Sequence, residues 1–217
     1  MKRSLISLFS LLLLFLIEVR AENGKPYVVV ISVDGLHPEL YLKSDQLGLK
    51  IPTIKRLMQQ GSYAEAMETV YPSVTYPSHT TLVTGVRPIA HGIVANLIFV
   101  DPKERNQDGS EDWFWHAKAI KTPTLWSEAK KAGLRTAAVG WPVTAEAEID
   151  YLIPEIWRGP FSTTREVGLE YATPEIREKL DAVMPKSEYG LDDEARAAAA
   201  EMIIKDYKPN LMLLHFV

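Results

Sequence analysis

One segment, Tyr71–Gly92 (YPSVTYPSHTTLVTGVRPIAHG), constrains the fold more than any other. It reads as an extended stretch ending in a hydroxyl residue, Thr75, then a helix from Pro77 that stops at Gly85. Proline suits a first helical turn, where its missing N–H would have no partner, and glycine suits the left-handed turn that closes a helix. Thr75 is thus expected just ahead of a helix N-terminus, where unpaired N–H groups and the positive end of the dipole favour an anion. On position alone, threonine there reads first as a helix cap. A partner upstream adds a second reading. Residues 27–35, YVVVISVDG, form an apolar β-branched run ending in Asp34-Gly35. In open α/β sheets, sites lie outside the carboxyl ends of strands. A carboxylate there is a hard ligand for a divalent metal, which would activate the Thr75 oxygen as a nucleophile. The plainer role for Asp34 is an Asp-Gly turn.

The rest of the chain repeats this alternation. The pattern predicts a strand over 27–33, a helix near 52–60, a strand around 63–70 and the helix 77–84. Residues 93–120 read as irregular, followed by a helix over 123–132, a strand over 135–140 and a loop over 151–190. Asp192 caps a helix running to Tyr207, and the last run, Leu211–Val217, is an apolar strand. Such alternation indicates an α/β fold: a doubly wound, mainly parallel sheet with helices on both faces. Trp113, Phe114 and Trp115 either pack a loop onto the domain or stack on a base or aryl group. Among the histidines, His79 lies one helical turn after Thr75 and is placed to brace it. His91 reads as loop support, and His215 as a core histidine within the last strand.

The N-terminus is a separate matter. Lys2 and Arg3 precede the mostly apolar stretch Leu5–Val19, and Val19-Arg20-Ala21 offers small residues where a signal peptidase reads. Residues 1–21 are expected to be a secretory signal, with an uncleaved anchor as the alternative. Residues 22–217 then form the remaining domain, with no stable membrane span. Removing Lys2, Arg3, Arg20 and Glu18 takes the formal charge from −4 to −6. That balance, with no basic run, argues against non-specific nucleic-acid binding. The chain has no cysteine, which excludes disulfides and thiolate ligands. A periplasmic or secreted location fits.

Five stretches together resemble the nucleotide pyrophosphatase/phosphodiesterase (type I phosphodiesterase) family of the alkaline phosphatase superfamily. They are VVVISVDGLHPEL (28–40), IPTIKRLMQQG (51–61), YPSVTYPSHTTLVTGVRPIAHGIVAN (71–96), TPTLWSEAKKAGLRTAAVGWP (122–142) and PNLMLLHFV (209–217). The resemblance implies an alkaline-phosphatase-like fold and two zinc ions. It implies that Asp34 binds zinc, that Thr75 is both nucleophile and zinc ligand, and that Asn96 holds a phosphoryl oxygen. Val143 stands where many relatives have glycine. The family's remaining zinc ligands, two Asp-His sets and a further His, are not among these 217 residues. The expectation is therefore the N-terminal portion of a catalytic domain, inactive as it stands.

The function implied is an exported, zinc-dependent hydrolase of phosphodiester or pyrophosphate bonds, acting on small phosphate esters or nucleotides. A phosphomonoesterase or sulfate-ester hydrolase on the same scaffold is one alternative, although sulfatases of the superfamily usually carry a modified Cys or Ser where Thr75 stands. A non-catalytic, truncated product is another.

Overall fold

The computed structural model describes residues 24–101, 103, 113–156, 165–183 and 191–217. The expected signal segment 1–21 and most of the polar stretch 101–112 lie outside the described residues. Four strands form one sheet: β1 (Val28–Val33), β2 (Thr136–Trp141), β3 (Tyr151–Pro154) and β4 (Leu211–Phe216). Their spatial order is β1-β4-β2-β3, and every pairing is parallel. The last strand of the chain thus sits between the first and second.

Parallel strands buried on both faces read as continuous apolar runs, and β4, LMLLHF, is such a run. Its alternate side chains divide between two cores. Met212 and Leu214, with Ala137 and Val139 of β2, cluster with α7 (Pro174–Val183) and α8 (Asp193–Tyr207) through Ile176, Leu180, Ala199 and Ile203. Leu211 and Leu213, with Ala138, cluster with Val83 of α3 (Thr75–Thr84) and Trp126 of α5 (Leu125–Lys131). This period-two division puts helices on both faces, as a doubly wound sheet requires. Asp192 caps α8 by accepting a hydrogen bond from Ala195 N–H at 2.8 Å, a contact of about 1 kcal/mol.

Several expectations need correction. No strand forms over 63–70: residues 62–69 are exposed, and the backbone partner of β1 is β4 alone. Side chains hold that segment instead, with Tyr41 Oη donating to the carbonyls of Ala64 and Glu65. Helix α3 begins at Thr75, not Pro77. Val74 is its N-cap, extended at ψ 164°, and Pro77 sits in the first turn where a donor is not needed. Helix α5 starts after Thr124, which forms a reciprocal capping box with Ser127. Two short helices, α1 (Pro38–Leu42) and α4 (Pro88–His91), were not anticipated. The region read as a loop contains β3, α6 (Arg165–Tyr171) and α7; its residues 157–164 and 184–190 lie outside the described set.

Strand β2 also reaches its parallel neighbour β3 through residues 142–150, without a helix. Parallel crossovers normally take a dozen or more residues. The short path places Val143 at φ 56° and Glu146 at φ 60°, in left-handed conformation. For a β-branched residue such as Val143 this is strained, which explains why glycine suits that position. Burial of Val143 against Tyr76 and Ile93 offsets the cost.

Candidate active site

Because all four strands run the same way, their carboxyl ends share one edge. Asp34 follows β1, Pro142 follows β2, Glu155 follows β3 and Val217 follows β4. The start of α3 lies against this edge, with Val83 farther along the helix packed under the sheet.

Thr75 and Asp34, forty-one positions apart, meet here: Thr75 Oγ1 donates to Asp34 Oδ2 at 2.9 Å. The other carboxylate oxygen, Oδ1, accepts from Gly35 N–H at 2.9 Å, and Gly35 has φ 68°. Asp34 therefore does two things at once, making the Asp-Gly turn and holding the threonine hydroxyl. The capping role for Thr75 is displaced, since Val74 occupies the cap position and the Thr75 side chain points to Asp34.

Asn96 joins the same group. Its Oδ1 accepts from the Tyr76 N–H at 2.9 Å, satisfying one unpaired donor of the first turn of α3. That bond uses the Asn96 amide oxygen, so the amide nitrogen remains the group that can donate from this side chain. A cavity of about 50 Å³ is bordered by Asp34, Thr75, Tyr76, Asn96, Trp113, Glu155, His215 and Val217. A wider cleft of about 540 Å³ opens on the other side of Asp34 and Thr75, lined by Val33, Leu36, Met67, Val74 and Leu82 with several hydroxyls.

His79 braces the helix start from below. Its Nδ1 lies 2.7 Å from the Thr75 carbonyl oxygen, so it donates, and its Nε2 then accepts from Ser32 Oγ at 2.9 Å. Burial, and next the neighbouring His215, lower its pKa to about 4, so the ring is neutral at pH 7. His91 supports the turn after α4, bonded to Thr81 Oγ1 at 3.0 Å and accepting from Ile93 N–H at 3.2 Å. His215 is fully buried, with Nδ1 donating to Gly140 O at 3.1 Å. The aromatic triplet divides: Trp115 is core, whereas Trp113 borders the cavity and tilts against Tyr76 with ring centroids 5.4 Å apart.

Sequence reasoning did not pick out Glu155 and Arg196, which lie buried under the cavity with His215. The available signal was charge in an apolar setting: Glu155 within YLIPEI, and Arg196 in an alanine-rich helix face.

As donors for a metal, Asp34 and Thr75 present two hard oxygens side by side. Among the described residues no group of three or more His, Asp or Glu side chains could hold an ion. Zinc normally takes three or four protein ligands, so the described residues do not by themselves make up a zinc site.

Residues 28–217 match the type I phosphodiesterase / nucleotide pyrophosphatase family. Human ectonucleotide pyrophosphatase/phosphodiesterase family member 1 is 31% identical over 140 residues, 61% of this chain and 14% of the relative. Rat family member 3 is 28% identical over 169 residues, 76% of this chain and 18% of the relative. Among solved structures, phosphonoacetate hydrolase from Sinorhizobium meliloti superposes with TM-score 0.54 at 21% identity, covering 88% of this chain and 46% of that one. Murine family member 5, an inactive threonine-to-alanine variant in complex with AMP, superposes with TM-score 0.51 at 23% identity, over 88% of this chain and 43% of that one. The chain thus spans less than a fifth of the length of these two sequence relatives and under half of these solved neighbours.

Proposed function

The chain belongs to the type I phosphodiesterase / nucleotide pyrophosphatase family, and from that premise we propose that it is the Thr75-bearing part of a hydrolase of phosphodiester or pyrophosphate bonds in small esters and nucleotides. The observation that carries the reading is the 2.9 Å hydrogen bond from Thr75 Oγ1 to Asp34 Oδ2, at the start of a helix and the end of a strand. A threonine whose proton is already directed at a carboxylate is oriented for attack on phosphorus. Attack would form a Thr75 Oγ–P bond and expel the leaving alkoxide or phosphate, with water later releasing the second product. The Asn96 amide nitrogen and the Thr75 N–H, the first-turn donor of α3 left once Tyr76 N–H bonds Asn96 and Ser78 N–H bonds Val74, would hold the non-bridging oxygens as charge builds on them. His79 keeps the Thr75 carbonyl, and so the helix start, fixed to β1 through Ser32.

Asp34 and Thr75 would also be two of the ligands of a zinc ion, one of two that the reading calls for, and that ion would need further ligands which the described residues do not supply. Bound there, it would lower the threonine pKa and neutralise phosphoryl charge. Export is inferred from the basic and apolar character of residues 1–21; among the described residues no helix is long and apolar enough to cross a membrane. Support for a nucleotide substrate comes from the solved neighbour holding AMP.

The test is turnover of bis(p-nitrophenyl) phosphate and of p-nitrophenyl thymidine monophosphate, with zinc supplied, by the protein that carries this chain together with the further zinc ligands, and by its Thr75→Ala variant. The reading predicts a loss of about 10³-fold or more with unchanged folding. Equal turnover by both proteins would sink it.

A further inference from the structure

Under the Thr75 site lies a polar group with no role so far: Glu155, Arg196 and His215, each at most 1% exposed. Glu155 Oε1 lies 3.4 Å from Arg196 Nη2 and 3.3 Å from His215 Nδ1. Arg196 Nη1 donates to the His215 carbonyl at 3.0 Å. A single carboxylate therefore links the end of β3, helix α8 and the end of β4.

Stability alone is a weak account of this arrangement. Taking a carboxylate and a guanidinium out of water costs several kcal/mol per ion, and apolar residues of similar volume often serve a core as well or better. What an apolar core could not supply is a fixed acceptor at the floor of the site. The second oxygen, Glu155 Oε2, and His215 Nε2 have no hydrogen-bond partner among the described residues. Both residues border the same cavity as Asp34, Thr75 and Asn96.

A contact route runs from Glu155 to Thr75: His215, its Nδ1 3.3 Å from Glu155 Oε1, places its ring 4.3 Å from that of His79, and His79 holds the Thr75 carbonyl. Tyr76, next in sequence to Thr75, borders the same cavity as Glu155, and its N–H donates to Asn96. Gly140 closes the arrangement: a Cβ there would lie 3.2 Å from both Arg196 Nε and the His215 carbonyl oxygen.

We propose that Glu155 is a positioning residue for the Thr75 reaction, fixing Arg196 and His215 with one oxygen so that the His215 ring, through His79, keeps Thr75 in place. The proposal rests on the reading of Thr75 as the nucleophile. Its test uses the same zinc-competent protein as above and the double variant Glu155→Met/Arg196→Leu, which replaces both charges together and leaves neither partner of the pair uncompensated. Glu155→Asp is the conservative comparison. Glu155→Gln, which keeps the side-chain shape, takes the same measurements if the double variant does not fold.

With bis(p-nitrophenyl) phosphate and zinc, the double variant is expected to keep its thermal midpoint within a few degrees. Its kcat should fall about 10- to 100-fold with KM within about 3-fold, and Glu155→Asp should lose less than about 10-fold. The second readout needs no turnover: the ¹³C-methyl NMR shift of Thr75 should move in the double variant and stay near the parent in Glu155→Asp. A folded double variant with the parent's kcat overturns the proposal. If the parent itself does not turn over, the hydrolase reading fails separately, and an unmoved Thr75 methyl signal overturns the positioning role.

Discussion

The two walls of the site are built on opposite principles. One is β1, whose residues Val28, Val29, Ile31 and Val33 are 42–57% exposed; the two helices that follow it in sequence, α1 and α2 (Pro52–Gln60), bury no residue. The other is β4 with β2, β3 and α8, where every residue of β2 and all but the last of β4 are buried. Asp34 stands on the open wall, Glu155 and His215 on the closed one, and Thr75 bridges them. Similar apolar runs produced both walls. Packing partners make the difference: among the described residues β4 has a strand on each side and helices above and below, whereas β1 pairs with β4 alone. The carboxylate on the open wall, Asp34, is exposed to water, while the one on the closed wall, Glu155, is buried beside Arg196.

The contrast can be broken by substitution. The largest effect is expected for Glu155→Leu alone, which strands the Arg196 guanidinium in the core and should cost roughly 3–5 kcal/mol of unfolding free energy. Asp34→Asn on the open wall should change chemical denaturation far less while removing the negative charge beside Thr75. Leu213→Ala, in fully buried β4, should cost about 2–5 kcal/mol. Equal costs for Asp34→Asn and Glu155→Leu would mean that the walls do not differ as described.

Acid sharpens the same comparison. His79 is held neutral in the fold with a pKa near 4, against about 6.5 unfolded, through burial and then His215, with Glu155 and Asp34 opposing. The unfolded chain therefore binds the extra proton first. The stabilisation is fully present above about pH 6.5 and is lost as pH falls toward 4, to a total of roughly 3 kcal/mol. Urea midpoints measured across that window should fall in the parent and flatten in His79→Gln. The smallest effect belongs to the open wall: Ile31→Thr, at 57% exposure, should shift the midpoint by less than about 1 kcal/mol.

What was legible in the sequence follows the same division. Asp34 and Thr75 could be picked out because local rules announce them: a β-branched run ending in Asp-Gly, and proline and glycine bracketing a helix; Asn96 came only with the family resemblance. The doubly wound sheet was legible from the same punctuation. Residues 63–70 look like a strand by alternation, but a strand exists only where another offers hydrogen bonds, and that is not written locally. Strand β3 was hidden by its shortness and its terminal Pro154. Glu155 and Arg196 are 41 positions apart and look like surface charges until the fold buries them together. Val143 was visible only as a departure from glycine, and its φ of 56° gives that departure its physical meaning.

The most direct measurement is mass spectrometry of the acid-quenched protein after mixing with p-nitrophenyl thymidine monophosphate and zinc. The account predicts a nucleotidyl adduct on the peptide containing Thr75, absent in Thr75→Ala. Turnover that proceeds with no adduct there, and that survives Thr75→Ala, would contradict it.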